Sequence, residues 1–597
     1  MKSHSLETDF CIIGGGLSGV SAALAAARNG ARVVLVQDRS VLGGNASSEI
    51  KMHVVGADCH GARPGARETG LIEELRLEDA YRNPVGAYAM WDLLLYEKVT
   101  ENPNIVLLLD SVCVGCVVEE SPEGRRIVSA RVQRQVTEDE FTITAKFFAD
   151  CSGDGRLGAE AGADFRMGRE AQSEFQESFA LPEADGCTLG NSILFTARRH
   201  DTPQPFVRPH WVRPFRKEEL KLRPIKSFEY GFWWSEWGGQ LDTIKDLPAI
   251  RHELLRIALG IWDYIKNSGD HPDAANWALE WVGAIPGKRE SRRFLGDHIL
   301  VQDDIESGRI FADQVAYGGW WLDLHPPSGV DAVDEAPCVQ HHLKFLYSIP
   351  LRALYSRNVC NLFFAGRNIS ATHVAFASTR VMATCSVMGQ AIGTAAAILR
   401  RSSGSSIRTL CDAAALQEIQ QRLVRDDAFL LGVKNEDPAD LARGAEVSAS
   451  SEAAGYPAAN VINGLTRPLR SAWGAWSDDS ANFWESAALP AAVTLQLSGS
   501  PAISELHLTF HSGLDRELML SPSHYFSSRS PRGPQPEIVR DYDVYLDDRR
   551  VLSVRGNYLR KRVHRLDAPA RGRALRVEVL ATHGLPAARI VEVRAYA

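Results

Sequence analysis

The sequence lacks the cysteine spacing, the basic runs and the long apolar runs that identify several large classes of protein. Its 597 residues include only ten cysteines, scattered without the spacing of a disulfide framework or a zinc site, so we expect reduced thiols and no metal site. It carries 66 basic against 74 acidic residues, a net charge of −8, and no sustained basic run, which argues against a nucleic-acid partner. No apolar run is long enough to cross a bilayer, so no membrane partner is expected.

Two local features bear on compartment and redox chemistry. The first predicted strand begins about eight residues after Met1, which leaves no room for a signal peptide and predicts a cytoplasmic protein. Cys113 and Cys116 have the spacing of a redox or zinc pair. They lie in a strand-like run, however, where residues three apart point to opposite faces. We therefore expect both to be structural thiols.

What the sequence does contain begins near its N-terminus, where an apolar strand runs into a glycine turn. Residues 8–13 are followed by Gly14, Gly16 and Gly19 in a Gly-x-Gly-x-x-Gly pattern, and then by an alanine-rich helix over 20–29. The first glycine permits the tight turn, the second lets a pyrophosphate approach the backbone, and the third lets helix and strand pack closely. The helix start presents N–H groups to the diphosphate. The expected dinucleotide contacts of this turn are Gly14, Gly16, Leu17, Ser18 and Gly19.

The second predicted strand, 31–36, bears on how the ribose is held. An acidic residue is expected near its end, where the chain has Gln37 and, one residue later, Asp38. A glutamine can also hydrogen-bond a ribose. A Gly-Gly-Asn-Ala-Ser stretch follows at 43–47, where a nicotinamide-binding domain would enter its next helix. The expected contacts of this region are Gln37, Asp38, Arg39, Gly43, Gly44, Asn45, Ala46, Ser47 and Val112.

Two later segments repeat the pattern of a buried strand ending in a small-residue turn. The first is a strand over 147–151 that leads into Ser152, Gly153 and Asp154. The second is a strand over 361–365 that leads into Gly366 and Arg367, followed by a small-residue helix over about 378–399. Such a helix can aim its N-terminus at a group that gains negative charge. Both turns resemble those of two-dinucleotide-binding flavoproteins, and this resemblance makes Ser152, Gly153, Asp154, Gly366, Arg367 and Val381 the expected cofactor contacts here.

Together the three segments resemble the FAD-dependent oxidoreductase family related to the fumarate reductase and succinate dehydrogenase flavoproteins. The closest match is a bacterial branch that carries Gly-Gly-Asn-Ala-Ser-Ser-Glu early and Ala-Gly-Arg-Asn-Ile-Ser late, and it spans roughly residues 7–400. The resemblance implies FAD as cofactor and an α/β fold with a Rossmann-like two-dinucleotide-binding domain. Gln37 and Arg367 depart from it, because most relatives have acidic residues at these places.

Composition and periodicity divide the chain further. The resemblance assigns 1–160 and 351–400 to the two parts of the FAD-binding domain, with an inserted α+β substrate or cap domain at 161–350. Residues 401–443 are predicted to form a helical linker. From 444 to 597, short alternating strands separated by Gly, Pro and Asp turns predict an antiparallel β-sandwich.

The opening of this sandwich resembles discoidin-like, galactose-binding-type domains. The residues that carry the resemblance are Ser450, Ser451, Asn460, Val461, Asn463, Gly464, Trp473 and Trp476. Such domains often bind glycans or calcium, so the resemblance makes a carbohydrate a candidate partner. Because a fold does not define a function, we favour a sandwich that docks on the catalytic part or on a second subunit. The sequence leaves open whether the chain forms a homo-oligomer.

Four residues are candidates for chemistry. Oxidation of an alcohol or amine by a flavin needs a base for the heteroatom proton, and a neutral histidine suits that task. His325, two residues from Asp323, and His373, between the third turn and its helix, are the candidates, although either can also be a buried structural residue. Arg380 could hold a substrate carboxylate or a flavin oxygen. The fumarate-reducing relatives use arginine as proton donor, which makes Arg292 and Arg380 candidates in a reduction.

Three functions stay open at this point. The first is hydride transfer between FAD and a small polar substrate, with a sugar or glycoside suggested by the sandwich and by aromatic residues such as Trp233 and Trp320. The second is reduction of an activated double bond. The third is a glycan-binding protein with a structural flavin. The cationic run over 287–293 has the composition of a solvated face.

Overall fold

A mixed seven-stranded sheet forms the centre of the N-terminal part of the chain. The computed structural model describes residues 2–401 and 406–597. In spatial order the strands are Ile105–Leu108, Val33–Val36, Lys2–Ile13, Asp139–Asp150, Gly124–Arg134 and Ser111–Ser121, and Leu362–Phe364 pairs with the end of Asp139–Asp150. The first four and Leu362–Phe364 are parallel, whereas the other two form an antiparallel hairpin. The carboxyl ends of the parallel strands, and with them the three predicted turns, therefore meet at one edge.

Helices cover this sheet. They are Leu17–Arg28, Leu71–Arg82, Tyr88–Thr100, Arg156–Glu160, His373–Thr379 and Met382–Leu399. Leu17–Arg28 packs against Met382–Leu399 at very short range. A Cβ built on Gly389 would lie 2.0 Å from the carbonyl oxygen of Ser18, and one on Gly393 would lie 2.2 Å from that of Ala22. Only glycine permits this approach, which brings the first and third turn segments together.

Gly393→Ala is expected to destabilise the protein for this reason. The added methyl meets backbone, which cannot rotate away, and overpacking of a core costs about 1–3 kcal/mol of unfolding free energy. Thermal unfolding of the purified protein measures the effect as a lower midpoint. Gly444→Ala is the matched control, because a Cβ there meets nothing within 4 Å. Equal midpoints for the two variants would contradict the close helix contact.

The third turn segment differs from its prediction. A single helix over 378–399 was expected, but the structure has two helices that break at Arg380 and Val381. The backbone of Val381 is extended, with φ −69° and ψ 146°, and this starts the second helix at Met382.

Met382–Leu399 is also long and apolar enough to span a bilayer, contrary to the expectation from sequence, yet 94% of it is buried within the protein. It is a core helix of the sheet domain.

The predicted cap region, 161–350, consists of small sheets around one long helix. Its strands are Phe165–Arg166, Asn191–Ser192, Phe195–Arg199, Glu236–Trp237, Trp277–Val282, Gly287–Lys288, Arg293–Phe294, Gln314–Gly318, Leu322–Leu324, Val339–His341 and Tyr347–Pro350. Its α-helices are Gln172–Phe175, Leu247–Asn267 and Gln302–Glu306. Many of the aromatic residues noted in the sequence form a core against the long helix, among them Phe195, Phe232, Trp234 and Trp262.

The C-terminal region is an antiparallel β-sandwich. One sheet orders the strands as Glu446–Ala449, Ala491–Gln496, Ala574–Thr582, Val539–Leu546 and Arg549–Val554. The other orders them as Trp484–Glu485, Arg589–Tyr596, Ala502–Phe510 and Lys561–Arg571. The alternating inward residues of both sheets share one core. A short helix, His524–Ser527, lies in the long connection between strands Ala502–Phe510 and Val539–Leu546.

The sandwich packs on the N-terminal part through a buried face. Trp473 is 1% exposed and shares a core with Tyr317, Leu346 and Phe429. Arg467, fully buried, donates hydrogen bonds to the carbonyl oxygen of Gly65 and the hydroxyl of Thr69. The first signature tryptophan therefore faces the N-terminal part and not solvent. Within the predicted linker, an α-helix spans Ala413–Arg425, and residues 402–405 lie outside the described residues.

Candidate functional site

A cavity of about 490 Å³ lies at the carboxyl edge of the parallel strands. All three predicted turns reach it. The predicted cofactor contacts that line it are Gly14, Gly16, Leu17, Ser18, Gln37, Asp38, Arg39, Gly43, Gly44, Asn45, Val112, Ser152, Gly153, Asp154, Gly366, Arg367 and Val381. Gly19, Ala46 and Ser47 do not line it and lie in the turns behind it. The structure thus brings most of these distant residues to one concave surface.

The glycine turn has the space that a dinucleotide requires. A Cβ built on Gly16 meets no atom within 4 Å, whereas one on Gly14 would lie 2.3 Å from the carbonyl oxygen of Cys151. Gly14 also has φ +106°, which favours glycine. The helix that begins at Leu17 has no side-chain cap and no acidic residue in its first turn. Its N–H groups and dipole are therefore available to an anionic diphosphate, and the residues fit FAD.

Gln37 lines the cavity, and its side chain also braces the glycine turn. Its Oε1 accepts a hydrogen bond from the N–H of Gly15 at 2.8 Å, and its Nε2 donates to the carbonyl oxygen of Val41 at 3.0 Å. The buried amide is thus used to brace the glycine turn against the following loop. Asp38 is exposed at the cavity and has no hydrogen bond or ion pair to any described residue. Its carboxylate is the freer acceptor for ribose hydroxyls.

Asp154 and Arg367, the second and third turn residues, form one charged cluster. Arg367 Nη2 lies 2.6 Å from Asp154 Oδ1, and Lys288 Nζ lies 2.5 Å from Asp154 Oδ2. Burial alone would raise the pKa of Asp154, but the two cations outweigh it and hold that pKa well below its usual range. The cluster carries a net positive charge beside the cavity, which suits a phosphate-bearing ligand. Arg367 thus takes a structural place that the family pattern did not predict.

A second cluster, centred on His325, lines the same cavity. His325 Nδ1 lies 2.6 Å from Glu236 Oε2, and His325 Nε2 lies 3.0 Å from Asp323 Oδ2. Burial would lower the pKa of His325, but the charges of Glu236 and Asp323 outweigh it and raise that pKa above its ordinary value. The raised pKa favours the protonated imidazole, which can donate to both carboxylates.

Arginines complete this cluster. Arg380 Nη2 lies 3.0 Å from Asp323 Oδ2 and 3.2 Å from His325 Nε2. Arg289 Nη1 lies 3.4 Å from Glu236 Oε2. Ligand atoms of Asp323, His325 and Cys338 lie within 4.8 Å of one another, a group that could hold a metal ion. The guanidinium of Arg380 already supplies positive charge beside two of them.

His373 and Arg292 lie away from the main cavity. His373 Nδ1 pairs with Glu290 Oε2 at 2.9 Å in a buried network that includes Arg293 and Glu170. It lines a separate cavity of about 60 Å³, which His325 borders as well. Arg292 donates from Nη1 to the carbonyl oxygen of Asp154 at 3.0 Å. The structure places both residues as supports of the site and not as its surface.

Several residues of the site were missed from sequence. Glu236 belongs to no motif, and it is 89 positions away in the sequence from His325, with which it pairs. Lys288 and Arg289 belong to the run over 287–293, whose composition indicated a solvated face; that expectation was wrong, because these cations pair with buried carboxylates. His53 and His60 also line the cavity. The sequence signal that could have indicated these residues was the run of charges over 287–293 next to Gly and Pro turns.

Some solved structures are similar to about a quarter of this chain. The chain is similar to the family 32 carbohydrate-binding module from Streptococcus pneumoniae EndoD, at 19% identity over 26% of this chain and 98% of that chain, with a TM-score of 0.20. It is also similar to the family 32 module from Clostridium perfringens NanJ, solved with galactose, at 15% identity over 27% and 98% of the chains, with a TM-score of 0.19. Likenesses of this size carry no information about what the chain binds.

The N-terminal part gives the decisive comparison. No curated protein matches the chain. The family described as FAD dependent oxidoreductase matches residues 9–423. This span covers more than half of the sequence and includes all three turn segments and the His325 cluster. The prediction of an FAD-dependent enzyme is thereby confirmed, and the chain belongs to the FAD-dependent oxidoreductase family.

Proposed function

We propose that this enzyme transfers a hydride between FAD and a small polar substrate, with sugars and glycosides as the substrate class. One observation carries the proposal: the glycine turn and Asp38 line the same cavity as Asp323, His325 and Arg380. Cofactor and substrate would therefore share one enclosure. The parallel strands that meet there support a Rossmann-like, two-dinucleotide-binding arrangement.

The cofactor end is formed by residues with separate tasks. The N–H groups at the start of helix Leu17–Arg28 would bind the diphosphate, and Asp38 the ribose. Lys288, which pairs with Asp154 of the second turn, and Arg367 of the third turn add positive charge. When bound, the flavin accepts or gives a hydride at its ring. The N-terminus of helix Met382–Leu399, beside Val381, would favour negative charge on that ring.

His325 is suited to handle the substrate proton. It holds a proton at Nε2, next to Asp323, and Glu236 fixes the ring from Nδ1. A substrate oxygen placed against Nε2 would take that proton in a reduction and return one in an oxidation. Arg380 lies close enough to stabilise negative charge on the same oxygen. The arrangement serves both directions of an alcohol–carbonyl interconversion.

Aromatic rings at this end support a sugar as substrate. Trp233 and Trp320 line the cavity together with polar Gln340 and Arg289. The ring of Trp233 lies edge-on to His325, with centroids 5.5 Å apart. Sugar rings stack on aromatic planes while their hydroxyls bind polar groups. The composition of the wall suits a polar ring-shaped molecule.

A specific observation favours a second candidate, the reduction of an activated double bond in a carboxylate substrate. Arg380 has a buried Nε with no hydrogen-bond partner in the described part of the chain. An unpaired guanidinium N–H favours an anionic acceptor such as a carboxylate. In this reaction His325 or Arg380 would give the proton.

An anaerobic screen of flavin absorbance tests both functions. The purified yellow protein is mixed with sugars, glycosides and amino acids, and the chemically reduced protein with enoates and keto sugars. Bleaching by a sugar or glycoside supports the proposed function. Reoxidation of the reduced protein by enoates alone favours the second candidate. A flavin that responds to none of these substrates would contradict both.

The pH dependence should follow His325. Its pKa is raised above the ordinary value, so the neutral base appears only as pH rises through that raised pKa. The rate of substrate oxidation is therefore expected to increase as the pH rises through that raised pKa. Burial lowers this pKa, and Glu236 and Asp323 raise it; Arg289, Arg380 and Cys338 are the other charged or titratable groups of the cluster.

Glu236→Gln provides the matched test of that dependence. It removes the negative charge 2.6 Å from Nδ1, which lowers the pKa of His325 and moves the rise in rate to lower pH. Stopped-flow flavin reduction across pH measures the shift. Glu253→Gln, on the outer helix Leu247–Asn267, is the control and should leave the profile unchanged. Identical profiles for Glu236→Gln and the wild type would exclude His325 as the group observed.

A further inference from the structure

The β-sandwich packs behind a loop that lines the catalytic cavity. Its long connection, residues 511–538, leaves the sandwich and packs against the sheet domain. Arg532 pairs with Asp79 at 2.7 Å, and the carbonyl oxygen of Leu520 accepts hydrogen bonds from the N–H of Val54 and the hydroxyl of Tyr88. This connection therefore reaches residues directly beside the loop that carries His53 and His60.

His53 lines the cavity and is held from the sandwich side. It is 7% exposed, and its Nδ1 lies 2.7 Å from Ser521 Oγ. The rings of Tyr230 and Phe526 stand edge-on to it, each with centroids 5.4 Å apart. Its other nitrogen, Nε2, is buried and has no hydrogen-bond partner among residues 2–401 and 406–597. A buried polar atom without a partner is costly unless a ligand supplies one.

The hydrogen bonds of Ser521 decide where His53 carries its proton. Ser521 Oγ already accepts from the N–H of Ser523 at 3.1 Å, so its own hydroxyl hydrogen needs an acceptor. Within the described residues, His53 Nδ1 is the one that lies in reach. If Ser521 donates to Nδ1, the neutral ring carries its proton on Nε2. Burial lowers the pKa of His53 to about 3, and the ring therefore stays neutral.

His60 shows how firmly the sandwich holds this loop. Cys59 and His60 both have left-handed backbones, with φ +49° and +57°, which cost energy in residues other than glycine. Three contacts from the sandwich compensate. Glu517 lies 3.2 Å from His60 Nδ1, Arg529 donates to the His60 carbonyl oxygen, and Phe526 stacks on its ring.

We propose that His53 is a neutral Nε2–H donor to an oxygen atom of the ligand in this cavity, and that Ser521 of the sandwich is its positioning residue. The proposal rests on the proposed binding of flavin and substrate in the same enclosure. The oxygen belongs either to the cofactor or to the substrate, since carbonyl and hydroxyl oxygens accept such a bond equally. The sandwich is then part of the catalytic unit.

The tautomer can be observed without knowing the substrate. Nitrogen–proton correlation spectra of histidine-labelled holoenzyme distinguish a proton on Nε2 from one on Nδ1, and His53→Gln assigns the signal. We expect the Nε2–H form in the wild type and a mixture of both forms in Ser521→Ala. A wild-type ring protonated on Nδ1 would overturn the proposal even if the enzyme transfers hydride as proposed.

Function is tested with the same variants in the full-length holoenzyme. His53→Phe keeps a ring but loses the donor, and His53→Gln keeps an N–H donor. We expect His53→Phe to lower either FAD affinity or kcat/KM by about tenfold or more, Ser521→Ala to lower the same quantity by a few-fold, and His53→Gln to restore part of it. Ser528→Ala, in an exposed part of the same segment, is the control.

The two sources of the oxygen give different results. A weaker binding of added FAD to apoprotein points to a cofactor oxygen. Normal FAD binding with a lower kcat/KM, for the substrate that bleaches the flavin, points to a substrate oxygen. Either result supports the proposal when Ser528→Ala is unaffected. Unchanged FAD affinity and unchanged kcat/KM in His53→Phe would overturn it.

Discussion

Gly16→Val is expected to give a folded protein that binds no FAD. A Cβ at Gly16 meets nothing within 4 Å, so the valine side chain enters the cavity without disturbing the protein around it. That space adjoins the N-terminus of helix Leu17–Arg28, where a diphosphate would approach the backbone. The side chain and the diphosphate cannot share it. Visible flavin absorbance relative to protein absorbance, measured after purification, reports the loss.

The control for this variant is Gly444→Val. A Cβ at Gly444 also meets nothing within 4 Å, but the residue lies at the start of the sandwich and away from the cavity. This protein should purify yellow, with the flavin content of the wild type. Gly16→Val should unfold at the same temperature as wild-type apoprotein, which separates cofactor loss from misfolding. Full flavin content in Gly16→Val would refute the placement of the diphosphate.

His325→Gln is expected to lower turnover by about 10²–10⁴-fold, the range typical of a lost general acid or base. The amide cannot hold and release a proton near neutral pH, although it can still hydrogen-bond Glu236 or Asp323. FAD should stay bound, because His325 is not part of the glycine turn and helix start that would hold the diphosphate. Anaerobic single-turnover reduction of the flavin measures the chemical step directly.

His342→Gln is the matched control. His342 is exposed and stacks on Trp321, with ring centroids 4.4 Å apart, and it does not line the cavity. The turnover of the His342→Gln variant should equal that of the wild type. If His325→Gln retained FAD and full turnover, His325 would have no part in proton transfer. Asp323→Asn keeps the His325 ring and serves as a second test, with an expected loss of rate in the same direction.

The cofactor and the coarse fold could be predicted because their signals are local. Gly14 and Gly16 follow a buried strand directly. A glycine turn in that position has few interpretations other than a dinucleotide-binding turn. The period-2 strands after residue 444 likewise predict a sandwich from short-range patterning. These features depend on neighbours within a few residues, which a single sequence displays.

The chemistry at the other end of the cavity could not be predicted in this way. His325 was a candidate on its own, but its raised pKa depends on Glu236, 89 positions away. His53 meets Ser521 across 468 positions. Such pairs are products of tertiary packing, and no spacing rule connects them. No motif indicated the hydrogen bonds by which the Gln37 amide braces the glycine turn either.

The brace from Gln37 has a consequence for cofactor affinity. With Gly15 and Val41 both tied to one buried amide, the phosphate-binding turn is preorganised in the protein without its ligand. Binding of FAD then costs little conformational entropy, because the loop is already ordered. More of the interaction energy between protein and FAD therefore contributes to affinity. The apoprotein should consequently recover its cofactor quickly from solution, as a rigid receptor does.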